Sequence, residues 1–120
     1  MYRRDEGFRV TFQEPLSASF TILKLKGQDV EHKTGKLHII DMSLKGAKVV
    51  SPLNLPADGT ELLLEFVLDK NPVSAIGELV WKKGSYQRFT YGVKLNPDTY
   101  SDRQLFTELK QYVHHHKSQK

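Results

Sequence analysis

The sequence predicts a mostly-β domain: about six short antiparallel strands in a sandwich or small closed barrel, then one C-terminal α-helix. Three observations carry this. Apolar and polar residues alternate in one run after another between Phe8 and Leu95, the signature of half-buried strands. Turn-forming dipeptides separate the runs at spacings too short for crossover helices, which makes hairpins the economical connection. Beyond Asn96-Pro97 the apolar period lengthens from two to that of a helix.

In chain order, Phe8 to Phe12 reads as a short strand at the entrance. Ser17 to Lys26 is a strand whose apolar phase slips, from Phe20 and Ile22 to Leu23 and Leu25. Lys36 to Met42 and Gly46 to Ser51 follow. Thr60 to Leu68 sets Leu62, Leu64, Phe66 and Leu68 on one face, with Leu63 and Val67 among charges on the other. Ser74 to Lys83 changes phase around Gly77, with Ile76 before it and Leu79 and Trp81 after it. Phe89 to Leu95 is the clearest strand, its large apolar side chains all at odd positions. A phase slip within a strand predicts a bulge, the device that curves a sheet toward closure. Closure is favoured because it removes exposed edges. Asp58-Gly59, Asn71-Pro72 and Gly84-Ser85 supply the turns. Leu105, Leu109, Tyr112 and Val113 form the helical stripe; Ser101 and Gln104 have capping-box spacing, and Asp102 sits where the helix dipole favours an acid. The predicted organisation is a flexible arginine-rich leader entering the first strand (1–12), a barrel (13–96), a helix across its open end (97–116) and a disordered tail (117–120).

Composition narrows the function. The 120 residues make one domain, 38% hydrophobic and 27% charged, an ordinary globular balance. The absence of cysteine excludes a disulfide scaffold, a thiolate metal site and a cysteine nucleophile, and suits a reducing cytoplasm. The longest apolar run, Leu62-Leu63-Leu64, is far short of a membrane span, and Met1-Tyr2-Arg3-Arg4-Asp5-Glu6 does not open a secretory signal. A net charge of +4, from 18 basic and 14 acidic residues, is a mild bias toward anionic partners. No phosphate loop, nucleophile elbow or His-Glu-x-x-His helix is present, and no acid, base and nucleophile set suggests an enzyme. His114-His115-His116 cannot converge on one ion from a regular helix and read as a frayed end; His32 and His38 stand alone. No metal site or cofactor is therefore predicted. Trp81, Phe89 and Tyr91 read as core.

Two stretches fit a purely structural account less well. Arg3-Arg4-Asp5-Glu6-Gly7-Phe8-Arg9 crowds three guanidinium groups near the N-terminus, and guanidinium forks grip phosphates and the O6/N7 edge of guanine. Asp41-Met42-Ser43-Leu44-Lys45-Gly46 falls between two strands. Asp and Ser two apart in an extended chain project to the same side, and Gly46 would allow a positive φ that turns backbone N–H groups toward an anion. The carboxylate can accept from the N1–H and N2–H₂ edge of guanine, and the hydroxyl can serve a phosphate. The alternative is a hairpin in which Asp41 and Ser43 cap backbone donors.

Together, in this order, the two stretches resemble the PilZ family of bacterial cyclic di-GMP receptors. Its pattern is Arg-x-x-x-Arg followed some tens of residues later by [Asp/Asn]-x-Ser-x-x-Gly. Asp41, Ser43 and Gly46 match the second part, while Arg4 and Arg9 have four residues between them where the pattern has three. Gly77-Glu78-Leu79-Val80-Trp81 and Tyr91-Gly92-Val93 look like the late strands of such domains. The resemblance spans Arg3 to about Asn96. It implies a six-stranded antiparallel barrel with a following helix, and a ligand, cyclic di-GMP, clamped between Arg3, Arg4 and Arg9 on one side and Asp41, Ser43 and the turn at Gly46 on the other. It also implies a protein effector, as yet unidentified, to receive the signal. A micromolar complex needs about 8 kcal/mol. Arginine–guanine pairs at roughly 1–3 kcal/mol each reach that only if ordering the leader, at roughly 1–2 kcal/mol per residue, costs little. Two other readings compete: a degenerate PilZ-like adaptor that binds protein without nucleotide, and, more weakly, a basic barrel that stacks single-stranded nucleic acid on Tyr86 and Phe89.

Overall fold

The computed structural model of the chain describes residues 8–31 and 33–117. Seven antiparallel strands precede one α-helix: β1 (Arg9–Leu25), β2 (Gln28–Asp29), β3 (Thr34–Ser43), β4 (Gly46–Ser51), β5 (Glu61–Val67), β6 (Pro72–Ser85), β7 (Arg88–Leu95) and α1 (Asp102–Lys117). Six of the strands close a ring in the order β1-β3-β4-β7-β6-β5, and β5 returns to pair with β1. The seventh, β2, is a two-residue ribbon folded back on the end of β1 around Lys26 and Gly27, both at positive φ, a backbone path that the glycine eases.

The two runs read separately as Phe8 to Phe12 and Ser17 to Lys26 are one bent strand. Between Thr11, opposite Asp41, and Leu16, opposite Ile39, β1 advances five residues while β3 advances two. The surplus bulges outward at Gln13, Glu14 and Pro15, all exposed, where a proline without an N–H costs the ladder nothing. Arg9 to Phe12 therefore belong to the ring. The slip expected near Leu23 is present, as a break in the β1–β5 register between Ile22 and Lys24.

In β6 the slip lies elsewhere than expected. Val73, Ala75, Gly77 and Leu79 stay in phase and face inward, and the β6–β7 register breaks between Leu79 and Trp81. Gly77 is explained by space: a Cβ there would lie 2.4 Å from Val93 Cγ1. The displaced bulge turns Trp81 outward, so that it is 40% exposed and not part of the core. Phe89 and Tyr91 are buried as expected.

Inside the ring, Phe20, Ile39, Met42, Leu62, Leu64, Leu79 and Tyr91 are almost wholly excluded from water, together with Leu105 and Leu109 of α1. The connection from β4 to β5 crosses one end of the ring and is held by the Tyr91 hydroxyl, which donates to Leu53 O at 2.6 Å and accepts from Leu55 N at 2.8 Å. At the segment expected as one helix, a 3₁₀ turn (Pro97–Thr99) capped by Asn96 comes first. Ser101 then starts α1 by accepting from Gln104 N at 3.1 Å. The helix meets β1 and the residue before it through edge-on ring pairs, Phe12–Tyr112 and Phe8–Phe106, each 5.0 Å between centroids. It continues through the histidine run, where His115 Nδ1 lies 2.7 Å from Asp69 Oδ1.

Candidate functional site

The outer surface of the ring, where β1, β3 and β4 lie side by side, collects the chemistry. Cross-strand pairing places Thr11, Asp41, Lys48, Gly92 and Trp81 in one row over β1, β3, β4, β7 and β6. Asp41 owes its place to a further irregularity. The β3–β4 register breaks between Ile39 and Asp41, which leaves Ile39 and Met42 both inward and the carboxylate outward. Its burial, at 6% exposure, is tolerable because cations flank it. Arg9 Nη1 binds Oδ1 directly, and Lys48 Nζ stands 3.7 Å from Oδ2. Half of the Arg9 side chain remains open to solvent.

Ser43 closes the β3–β4 hairpin on itself. Its Oγ accepts from Gly46 N at 3.2 Å and Lys45 N at 3.3 Å, and donates to Gly46 O at 3.3 Å. This corrects the expectation that the turn aims its N–H groups at an anion: both point to the serine. It also corrects the reason for Gly46, whose φ is not positive. The glycine is needed because a Cβ would come within 2.7 Å of Val93 O on β7. The hairpin is further fixed by Leu95 N donating to Lys45 O at 2.9 Å and by the Tyr100 hydroxyl donating to Leu44 O.

Of the six residues expected at the site, Arg9, Asp41, Ser43 and Gly46 come together on this surface. Arg3 and Arg4 lie outside the described residues. Sequence reading missed Trp81, whose indole lies flat over Gly92: a Cβ on that glycine would fall 2.0 Å from Nε1. The signal was there in Gly92 itself, since a glycine inside a strand marks a close approach of another group. Trp81 thus stands two strands from Lys48 on the same side of the sheet, with Lys83 Nζ 5.9 Å over its ring. Among the described residues, no cluster of three or more His, Asp or Glu side chains could hold a metal ion, and no helix is long and apolar enough to cross a membrane.

Comparison with known proteins gives one match. A family model described as PilZ domain fits residues 3–113, nearly the whole chain and most of α1. No curated protein and no solved structure matches.

Proposed function

The chain belongs to the PilZ domain family, and on that premise we propose that it is a receptor for cyclic di-GMP, acting as a signalling adaptor in the bacterial cytoplasm and passing the signal to a protein effector. The observation that supports this most is the meeting of Arg9 and Asp41, 32 residues apart in sequence, beside the Ser43–Gly46 hairpin. In this reading Arg9 turns to a phosphate or to guanine O6 and N7. Asp41 accepts from the N1–H and N2–H₂ edge, and Arg3 and Arg4 close over the phosphates. Strands lie about 4.8 Å apart, so the indole over Gly92 is about 10 Å from Asp41. That is within the span of a dinucleotide, and the ring offers its face to stack a base. The family is one of ligand-binding modules, and no reaction is assigned.

Calorimetric titration of cyclic di-GMP into the protein tests the reading. Binding in the micromolar range is the expected result, weakened tenfold to a hundredfold by Arg9→Ala or by Asp41→Ala. No heat at about 100 μM ligand overturns it. A second reading, a degenerate PilZ-like protein-interaction module without nucleotide, is favoured by one feature. Arg9 and Asp41 already satisfy each other, and Ser43 Oγ is engaged three times within its own turn. It predicts a silent titration with the fold intact.

A further inference from the structure

The ring closes completely only along part of its height. β5 pairs with β6 from Pro72 to Glu78, and Leu79 N donates to Thr60 O at 3.0 Å. From Val80 to Ser85, β6 has β7 on one side and, among the described residues, no strand on the other. An unpaired strand edge is a template for another extended chain. This one carries exposed Lys83, whose Nζ stands 5.9 Å over the Trp81 ring, with Arg88 opposite Ser85 at the tip; Lys82 is turned to Asn54 Oδ1 and the Phe89 ring. Beside the cations stand two exposed apolar side chains, Val80 at 52% and Trp81 at 40%.

The tip adds a second, independent observation. Tyr86 holds a positive φ of 59°, a conformation that costs a non-glycine residue energy, and its ring is 92% exposed. It is the first loop residue of the two-residue turn between Ser85 and its partner Arg88, where a tight hairpin uses positive φ. The turn thus holds the tyrosine out in solvent, and tyrosine is enriched among the aromatic anchors of interfaces.

We propose that the free edge of β6 from Val80 to Ser85, with Tyr86 at its tip, is the docking strip for an acidic, extended segment of a partner protein, which adds to the sheet as a further strand. Main-chain hydrogen bonds would supply the register, and Lys83 and Arg88 would select acidic side chains. A second copy of this chain is the wrong occupant, because edge-to-edge pairing would set Lys82 and Lys83 against their own equivalents. The strip lies apart from the Arg9–Asp41 pair but shares Trp81 with the proposed nucleotide surface, so the peptide titrations are run without nucleotide.

Trp81 is the sole tryptophan of the chain and sits on the strip, so its fluorescence reports occupancy directly. The probes are a capped synthetic peptide alternating Glu and Val and its Lys/Val counterpart, each titrated to about 1 mM, the weak limit of specific binding. The acidic peptide is expected to shift Trp81 emission to the blue and to slow amide exchange selectively over residues 80–85. The basic peptide should do neither. Lys83→Glu is expected to weaken the acidic peptide about tenfold. Tyr86→Gly should weaken it too while raising the thermal midpoint, since the strain is relieved as the anchor is lost; this second variant separates docking from folding. The proposal is overturned by silence toward the acidic peptide, by equal response to both peptides, or by protection away from β6. Concentration-dependent dimerisation in sedimentation through this edge, or a response only to anionic lipid vesicles or single-stranded oligonucleotides, overturns it as well.

Discussion

Tyr91 shows how much one side chain can settle. Its ring fills the core and its hydroxyl ties down the crossing connection at Leu53 and Leu55. Burial pushes its phenol above the ordinary value of about 10, outweighing the opposite effect of the hydrogen bond from Leu55. Tyr100 and Tyr112 are raised as well, first by burial and then by the neighbouring carboxylates of Asp102 and Glu14 respectively. A raised folded-state value means that the fold prefers the neutral phenol. The stabilisation is intact below pH ~10 and is lost as pH rises through the folded-state value. Tyr91→Phe should therefore cost about 1–3 kcal/mol at neutral pH, with the gap to the wild type narrowing as pH climbs past 10. Urea titrations across that range would check it, and a constant gap would refute it. The sequence marked Tyr91 as core through its odd-numbered strand but said nothing of the hydroxyl, whose partners come from a loop 36 residues away. Gly46 was legible as a special position and misread in its cause, because the atom it makes room for, Val93 O, belongs to a strand the local pattern cannot place.

At the scale of elements, α1 seals one end of the ring. Leu105 and Leu109 are buried to 1% and less, and Phe106 and Tyr112 meet Phe8 and Phe12 edge-on. The β5–β6 loop holds the outer side, with Asn71 Nδ2 donating to Glu108 Oε2 at 3.0 Å and Asp69 against His115. Leu109→Ala should cost about 2–5 kcal/mol and speed amide exchange in α1 more than in β4 or β7; a uniform effect on all three would argue against a separable helix contact. The stripe of Leu105, Leu109 and Tyr112 was plain in the sequence. Its last member, Val113, is exposed. Bulges were legible in kind and only partly in place. An apolar period shows that a phase must change, and whether it changes at Gly77 or at Val80 depends on what β7 sets opposite.

The molecule as a whole is held by contacts distant in sequence. Closing the ring joins β1 to β5 some forty residues on, Phe20 to Leu64, and β4 to β7, Ala47 to Val93. Loop closure must precede the gain from such pairings, so refolding in stopped-flow dilution from urea is expected over milliseconds to seconds; microsecond relaxation would contradict the ring. Here the sequence announced strands, turns and closure, and left open which strands are neighbours, since pairing order is written in no single segment. One wall of this ring has a mechanical consequence. At the start of β1, Arg9 faces out to Asp41, while Phe8, just before the strand, seats Phe106 and Phe12 seats Tyr112. Arg9 and Phe8 are chain neighbours, so the residue that meets Asp41 and the residue that seats Phe106 of α1 share one stretch of backbone.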